Sequence, residues 1–181
     1  MQGHGEESRY ATLRKKWGPS ANRWLFCFFQ VQAIAILLFV LPLLVASWNQ
    51  RHFGTWDFLG IAIWLIGFLG VAIADAQLNR FKQNKQNQGK TCNIGLWHYT
   101  RHPNYFFEWV LWWCWLPFSI GTTYWWIAII LPLLLLYTLV YKTGIPPTEA
   151  QAIASRGDDY RKYQKTTSAF IPWWPKKDLA E

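Results

Sequence analysis

Four apolar stretches, separated by polar or basic chain, decide what this 181-residue sequence can fold into. A helix needs about 20 apolar residues to cross the hydrocarbon core of a bilayer. The first stretch runs from about Trp24 to Trp48, with Pro42 near its far end, and the second from about Phe58 to Ala76. The third runs from Pro103 to about Ile120, and the fourth from about Tyr124 to Tyr141 with Pro132 inside it. Lipid offers no hydrogen bonds to the backbone, so such stretches must bond internally as helices. The second is interrupted only by Gly60, Gly67 and Gly70, and small residues at such spacing let a neighbouring helix approach closely. The expected fold is all-α: a polytopic membrane helix bundle of about four spans, one domain over residues 1–181.

Composition agrees. The chain is 52% hydrophobic and 19% aromatic, with 14 Trp and only 15% charged residues, far from a soluble domain. Trp and Tyr gather where a membrane meets water. The net charge of +8 does not imply nucleic acid, because the basic residues flank the apolar blocks, where lipid phosphate or an anionic cofactor accounts for them. Of the 18 Lys and Arg, Arg51 alone lies between the first and second spans; the others precede the first, join the second to the third, or follow the fourth. The positive-inside rule therefore places both termini and the loop of residues 77–102 in the cytoplasm, and the expected location is a bacterial inner membrane. The first 23 residues are polar and lack the apolar core of a signal peptide. Cys27, Cys92 and Cys114 show neither metal spacing nor a paired framework.

Past the fourth span, Gly144-Ile-Pro-Pro ends the helix, and Thr148 with Gln151 resembles a capping box. Residues 148–166 then predict a polar helix at the cytoplasmic surface, interrupted by Gly157. Phe170-Ile-Pro-Trp-Trp-Pro-Lys-Lys has the aromatics and lysines of an interfacial anchor.

Chemistry concentrates in the run from Gly95 to Glu108, which brings Arg101, two His, an Asn, two Tyr and a Glu to the start of the third span. Pro103 suits the first turn of a helix, leaving Arg101 and His102 beside a helix N-terminus, a ready anion site. Asn104 and Glu108 lie one turn apart on one face, continued by Trp112. Glu108, a turn inside the membrane, must pair with a cation, take a proton or bind a ligand's donors; a Glu–Arg bridge stapling spans together is the competing expectation. Asp75 ends the second span, ahead of Gln77 and Lys82, where it is either solvated or part of a site. His98 and His102 lie four apart, but Pro103 argues against one continuous helix and a third ligand is missing, so no metal is expected. Arg156, Tyr160, Arg161 and Tyr163 occupy the last helix, which either rests on the bilayer as an amphipathic helix or is folded back under the spans by Pro146, Pro147 and the topology. The resulting pocket suits a large, charged, partly aromatic cofactor better than a transported ion.

Gly95-Leu-Trp, then Thr100-Arg-His-Pro-Asn-Tyr and Glu108, resembles the steroid 5-alpha-reductase-like membrane family, in particular its bacterial branch, catalogued as the domain of unknown function DUF1295. The resemblance extends to Ala74-Asp-Ala-Gln-Leu, to Gly144-Ile-Pro, to the opening Gly5-Glu-Glu-Ser-Arg-Tyr, and to Tyr160-Arg-Lys-Tyr-Gln with Thr167-Ser-Ala-Phe-Ile-Pro. It implies an all-helical fold binding NADPH from the cytoplasm, through Asp75, Lys82, Arg101, His102, Asn104, Tyr105, Glu108, Arg156 and Tyr160. The implied reaction is hydride transfer to the double bond of a lipid-like enone, with membrane lipid and a lipophilic small molecule as partners. Relatives carry about two or three further spans before the loop with which this chain begins, and those hold the groups that polarise the substrate carbonyl. Many bacterial relatives also have a Glu where this chain has Val71. The isoprenylcysteine and phospholipid methyltransferases share a similar Arg-His-Pro-x-Tyr run, so S-adenosylmethionine-dependent methyl transfer is the alternative activity. Their Glu-Glu pair is reduced here to Glu149. A truncated remnant without turnover is the non-enzymatic alternative.

Overall fold

The computed structural model describes residues 8–176 and, among them, contains helices but no strand. Nine α-helices follow in order: α1 (Ser8–Trp17), α2 (Ala21–Ser47), α3 (Thr55–Gln83), α4 (Leu96–Tyr99), α5 (Pro103–Trp112), α6 (Trp115–Ser119), α7 (Ile127–Tyr141), α8 (Ile145–Arg156) and α9 (Asp158–Thr166). The all-α expectation holds. Residues 1–41 and 42–181 form two compact units.

In the first unit, Gly18 turns the chain with φ +52° between α1 and α2. Arg14 Nη1 donates to Asn22 Oδ1 at 2.7 Å across that turn, and the Trp17 ring sits 6.4 Å from Trp24 and 6.5 Å from Phe28.

The second unit is organised by the glycines of α3. A Cβ on Gly67 would lie 2.6 Å from the Leu111 Cα, one on Gly60 would lie 2.7 Å from the Phe118 ring, and one on Gly70 would enter the Phe107 ring. The absence of side chains thus seats α5 and α6 directly on the α3 backbone, which is where small-residue seams find their advantage. On the opposite face of α5, Trp109 Nε1 donates to the Pro132 carbonyl at 3.0 Å and so ties α5 to α7.

Among the described residues, three stretches are long and apolar enough to cross a membrane by length and composition: Leu13–Ser47, Thr55–Gln83 and Ile127–Arg156. The expected third span is not a continuous helix, because the chain turns at Trp113 and Cys114 between α5 and α6. Pro117 supplies the reason: its ring collides with the carbonyl four residues back, that of Trp113, and it has no N–H to donate. At the same end of α3, Asn49 Nδ2 donates to the Phe118 and Ile120 carbonyls at 2.8 and 3.0 Å. Arg51 pairs with Asp57 at 3.2 Å.

After α7, Gly144 packs so tightly that a Cβ would meet the Leu139 carbonyl oxygen at 2.6 Å. The anticipated capping box does not form. Helix α8 begins three residues earlier, at Ile145, because Pro146 and Pro147 are pre-set for a first turn, and Thr148 Oγ1 donates back to the Gly144 carbonyl at 2.8 Å. Gly157, with φ +56°, separates α8 from α9 as anticipated. Tyr160, Tyr163 and Thr167 form the buried stripe that follows. The tail then zips along the α4–α5 junction: Arg101 N donates to the Ser168 carbonyl at 2.8 Å, Trp173 N to the Tyr99 carbonyl at 2.9 Å, and Thr100 Oγ1 to the Phe170 carbonyl at 2.9 Å. Trp173 and Trp174 remain exposed at 69% and 73%, consistent with an anchor; Lys177 of that motif lies outside the described residues.

Candidate functional site

The end of α3, the loop after it, the start of α5 and the α8–α9 pair enclose a cavity of about 510 Å3, within the range of small-molecule sites. Each wall has a local cause. Gly95, at φ +57°, lies against the Gln77 side chain, whose Oε1 accepts the Leu96 N–H at 2.9 Å. Trp97 Nε1 donates to the Ala74 carbonyl at 2.9 Å, which clamps α4 onto α3. The loop wall is tied to the start of α9 by the Thr91 N–H, donating to Asp159 Oδ2 at 2.6 Å.

Seven of the nine site residues expected from the sequence line this cavity: Lys82, Arg101, His102, Asn104, Tyr105, Arg156 and Tyr160. Asp75 and Glu108 do not. Both are exposed on the flank of the α3–α5 pair, where Asp75 Oδ1 accepts from Asn104 Nδ2 at 3.2 Å. Asn104 therefore joins the flank to the cavity wall. No ion pair reaches Glu108 among the described residues. The expected Glu–Arg staple exists, but elsewhere: Arg101 Nε donates to Glu149 Oε1 at 2.6 Å.

Glu149, which the sequence offers only as what remains of a methyltransferase-like Glu-Glu pair, is not among the expected site residues. Its Oε1 also lies 3.2 Å from His102 Nε2 and accepts the Tyr160 O–H at 3.3 Å, while Oε2 accepts Gln164 Nε2 at 2.7 Å. Arg101 is held on the same side, since Nη1 donates to the Gln164 and Thr167 carbonyls at 2.9 and 2.8 Å. The available signal was local: Glu149 is the only acid in α8. His102 is buried and stacks on the Tyr105 ring at 5.3 Å with 7° between planes. The Tyr105 hydroxyl in turn meets Thr148 Oγ1 at 3.0 Å.

Burial, with the Glu149 carboxylate beside it, pushes the Tyr160 phenol above its ordinary value. Burial does the same to Tyr163. Both remain neutral donors at physiological pH. The single O–H of Tyr163 donates to the Trp97 carbonyl, with the Thr100 carbonyl at 3.3 Å, so Tyr163→Phe leaves a buried acceptor short of its donor. The expected cost is about 1–3 kcal/mol, read as a lower melting temperature with unchanged helix content.

The charge of the cavity is one-sided. Lys82, Lys90, Arg101 and Arg156 line it, and no Asp or Glu does. Arg101 is balanced by Glu149, but Lys82, Lys90 and Arg156 form no ion pair among the described residues. Burial pushes the Cys92 thiol up, against the opposing pull of the Arg156 and Lys82 charges; both cations thus act on one wall. Arg156 lies over the Tyr160 ring at 4.8 Å.

Comparison with known proteins places the chain. An uncharacterized protein of Schizosaccharomyces pombe is 26% identical over 129 residues, covering 59% of this chain and 38% of that protein. The chain thus spans well under half the length of this curated relative. No solved structure matches it. The family described as protein of unknown function DUF1295 matches residues 1–167, and the chain belongs to that family.

Proposed function

We propose that this protein is a membrane-bound, NADPH-dependent reductase acting on the carbon–carbon double bond of a lipid-like enone. One observation carries the cofactor assignment: a cavity of about 510 Å3 lined by cations from three chain segments and by no carboxylate. Phosphate oxygens suit such a wall, because charge-assisted bonds from Lys and Arg are about twice as strong as neutral ones. S-adenosylmethionine offers such a wall a single carboxylate and no phosphate, and its sulfonium and ammonium find no counter-charge there.

NADPH, when bound, would supply the hydride for one carbon of the double bond, and water would supply the proton that the other carbon takes up. Lys82, Lys90 and Arg156 neutralise its phosphates. Asn104 offers a side-chain amide whose orientation is set by Asp75 on one side and by the Tyr105 N–H on the other. The stacked His102 and Tyr105 rings give a flat aromatic wall. A lipophilic substrate arrives from the bilayer, into which the apolar helices fit, and the basic segments put the cavity at the cytoplasmic face.

NADPH titrated into purified protein in detergent is expected to bind saturably. Lys82→Ala and Arg156→Ala should each weaken binding about ten- to a hundredfold, the loss of one charge-assisted bond of about 1.5–3 kcal/mol. Added salt should weaken the wild type more than either variant. Binding of S-adenosylmethionine without NADPH would assign methyl transfer instead, and binding of neither would leave the non-catalytic alternative.

A further inference from the structure

Resting on the NADPH assignment above, we infer that Glu149 is a positioning residue, which sets the cofactor wall without touching the cofactor. Glu149 does not line the cavity, yet its carboxylate holds three side chains that do: Arg101, His102 and Tyr160. Three of its four donors converge on one oxygen, Oε1. A carboxylate offers about four lone-pair sites over its two oxygens, one for each of the four donors, and its charge strengthens every bond; the crowding falls on Oε1. An amide at the same place keeps the shape but loses the charge that balances Arg101. The donors come from the α4–α5 junction and from α9, so Glu149 on α8 is where two walls of the cavity are set against each other. Gln164 completes the arrangement from outside the cavity, bonding Oε2.

Loss of Glu149 then has two separable consequences. The fold weakens, as it would for any buried charge pair. In addition, Arg101, His102 and Tyr160 lose their common anchor and the wall changes shape. Only the second changes affinity in protein that is still folded.

The test compares Glu149→Gln with Gly60→Ala, a variant at the far end of α3 that costs stability away from the cavity. NADPH affinity is measured well below each melting temperature, and the alkylation rate of Cys92, buried in the cavity wall, is followed by peptide mass mapping. Glu149→Gln is expected to raise the NADPH Kd about tenfold and to speed Cys92 alkylation severalfold, while Gly60→Ala lowers the melting temperature and moves neither. Equal Kd shifts in both variants, or no shift in Glu149→Gln, would overturn the positioning role. If the wild type does not bind NADPH, the cofactor assignment falls and Cys92 decides: faster alkylation in Glu149→Gln alone upholds Glu149 as the anchor of the wall, and an unchanged rate rejects it. If Glu149→Gln does not fold, Gln164→Met, which removes one donor from outside the cavity, takes its place with a Kd shift of about threefold expected. No change in either readout would again reject the role.

Discussion

Gly67→Val is expected to lower the melting temperature by roughly 10 °C or more. The new Cβ would lie 2.6 Å from the Leu111 Cα and 2.7 Å from its backbone nitrogen. No rotamer relieves a clash with backbone, so α5 must move off α3. Overpacking a tight interior costs about 1–3 kcal/mol when side chains can shift, and more when they cannot. About 3 kcal/mol or more, in a chain of this size, lowers the melting temperature by roughly 10 °C. Ala72→Val, on an exposed face of the same helix, adds the same kind of β-branched bulk and should melt within a few degrees of the wild type. The two variants compared by thermal melting in detergent isolate the seam from any change in helix propensity. Equal melts would mean that α3 and α5 are not held together through Gly67.

The other large effect belongs to Arg101. Arg101→Met removes the bond to Glu149 and both bonds to the Gln164 and Thr167 carbonyls. The Glu149 carboxylate is left largely buried with its main counter-charge gone, and breaking a buried pair from one side costs about 3–5 kcal/mol. Arg101→Lys should recover only part of that loss, since an ammonium is a point charge that cannot present the guanidinium fork to three acceptors. Combining Arg101→Met with Glu149→Leu should be milder than the sum of the single changes, because two apolar side chains strand neither charge. Chemical unfolding of the four proteins gives the coupling directly. A full sum would show that the two side chains do not act as a pair.

Arg101 also shows how a correct placement can carry an incomplete role. Its position beside a helix N-terminus suggested an anion site, and it does line the cavity. Its Nε and Nη1 donors, however, go to Glu149 and to two carbonyls of the returning tail. The cavity cations without an ion pair among the described residues are Lys82, Lys90 and Arg156, and of these Lys90 carries no expectation in the sequence. Sequence spacing can say which residues approach the same end of a bundle. It cannot say which of several cations a buried acid will claim.

Much of the molecule was legible in one dimension. Apolar runs of membrane-spanning length, the glycines of α3, the break at Gly157 and the polar doorway at Pro103 each act through neighbours a few residues away. Pro117 belongs with them in principle, since its conflict with the Trp113 carbonyl is local, but it was masked by an apolar run that looked unbroken. Lysine and arginine distribution marked the polar end of the chain for the same reason: charge is costly in hydrocarbon wherever the chain later goes.

The local chemistry of side chains against lipid and backbone was thus enough to establish a helical membrane architecture and the segment that carries the site. Tertiary structure alone decided that Asp75 and Glu108 stand on the flank while Glu149, some forty residues further along, anchors the wall. Partner choice depends on distance in space, and a carboxylate in a desolvated site takes the donors that the packing of α4, α8 and α9 brings within 3.3 Å.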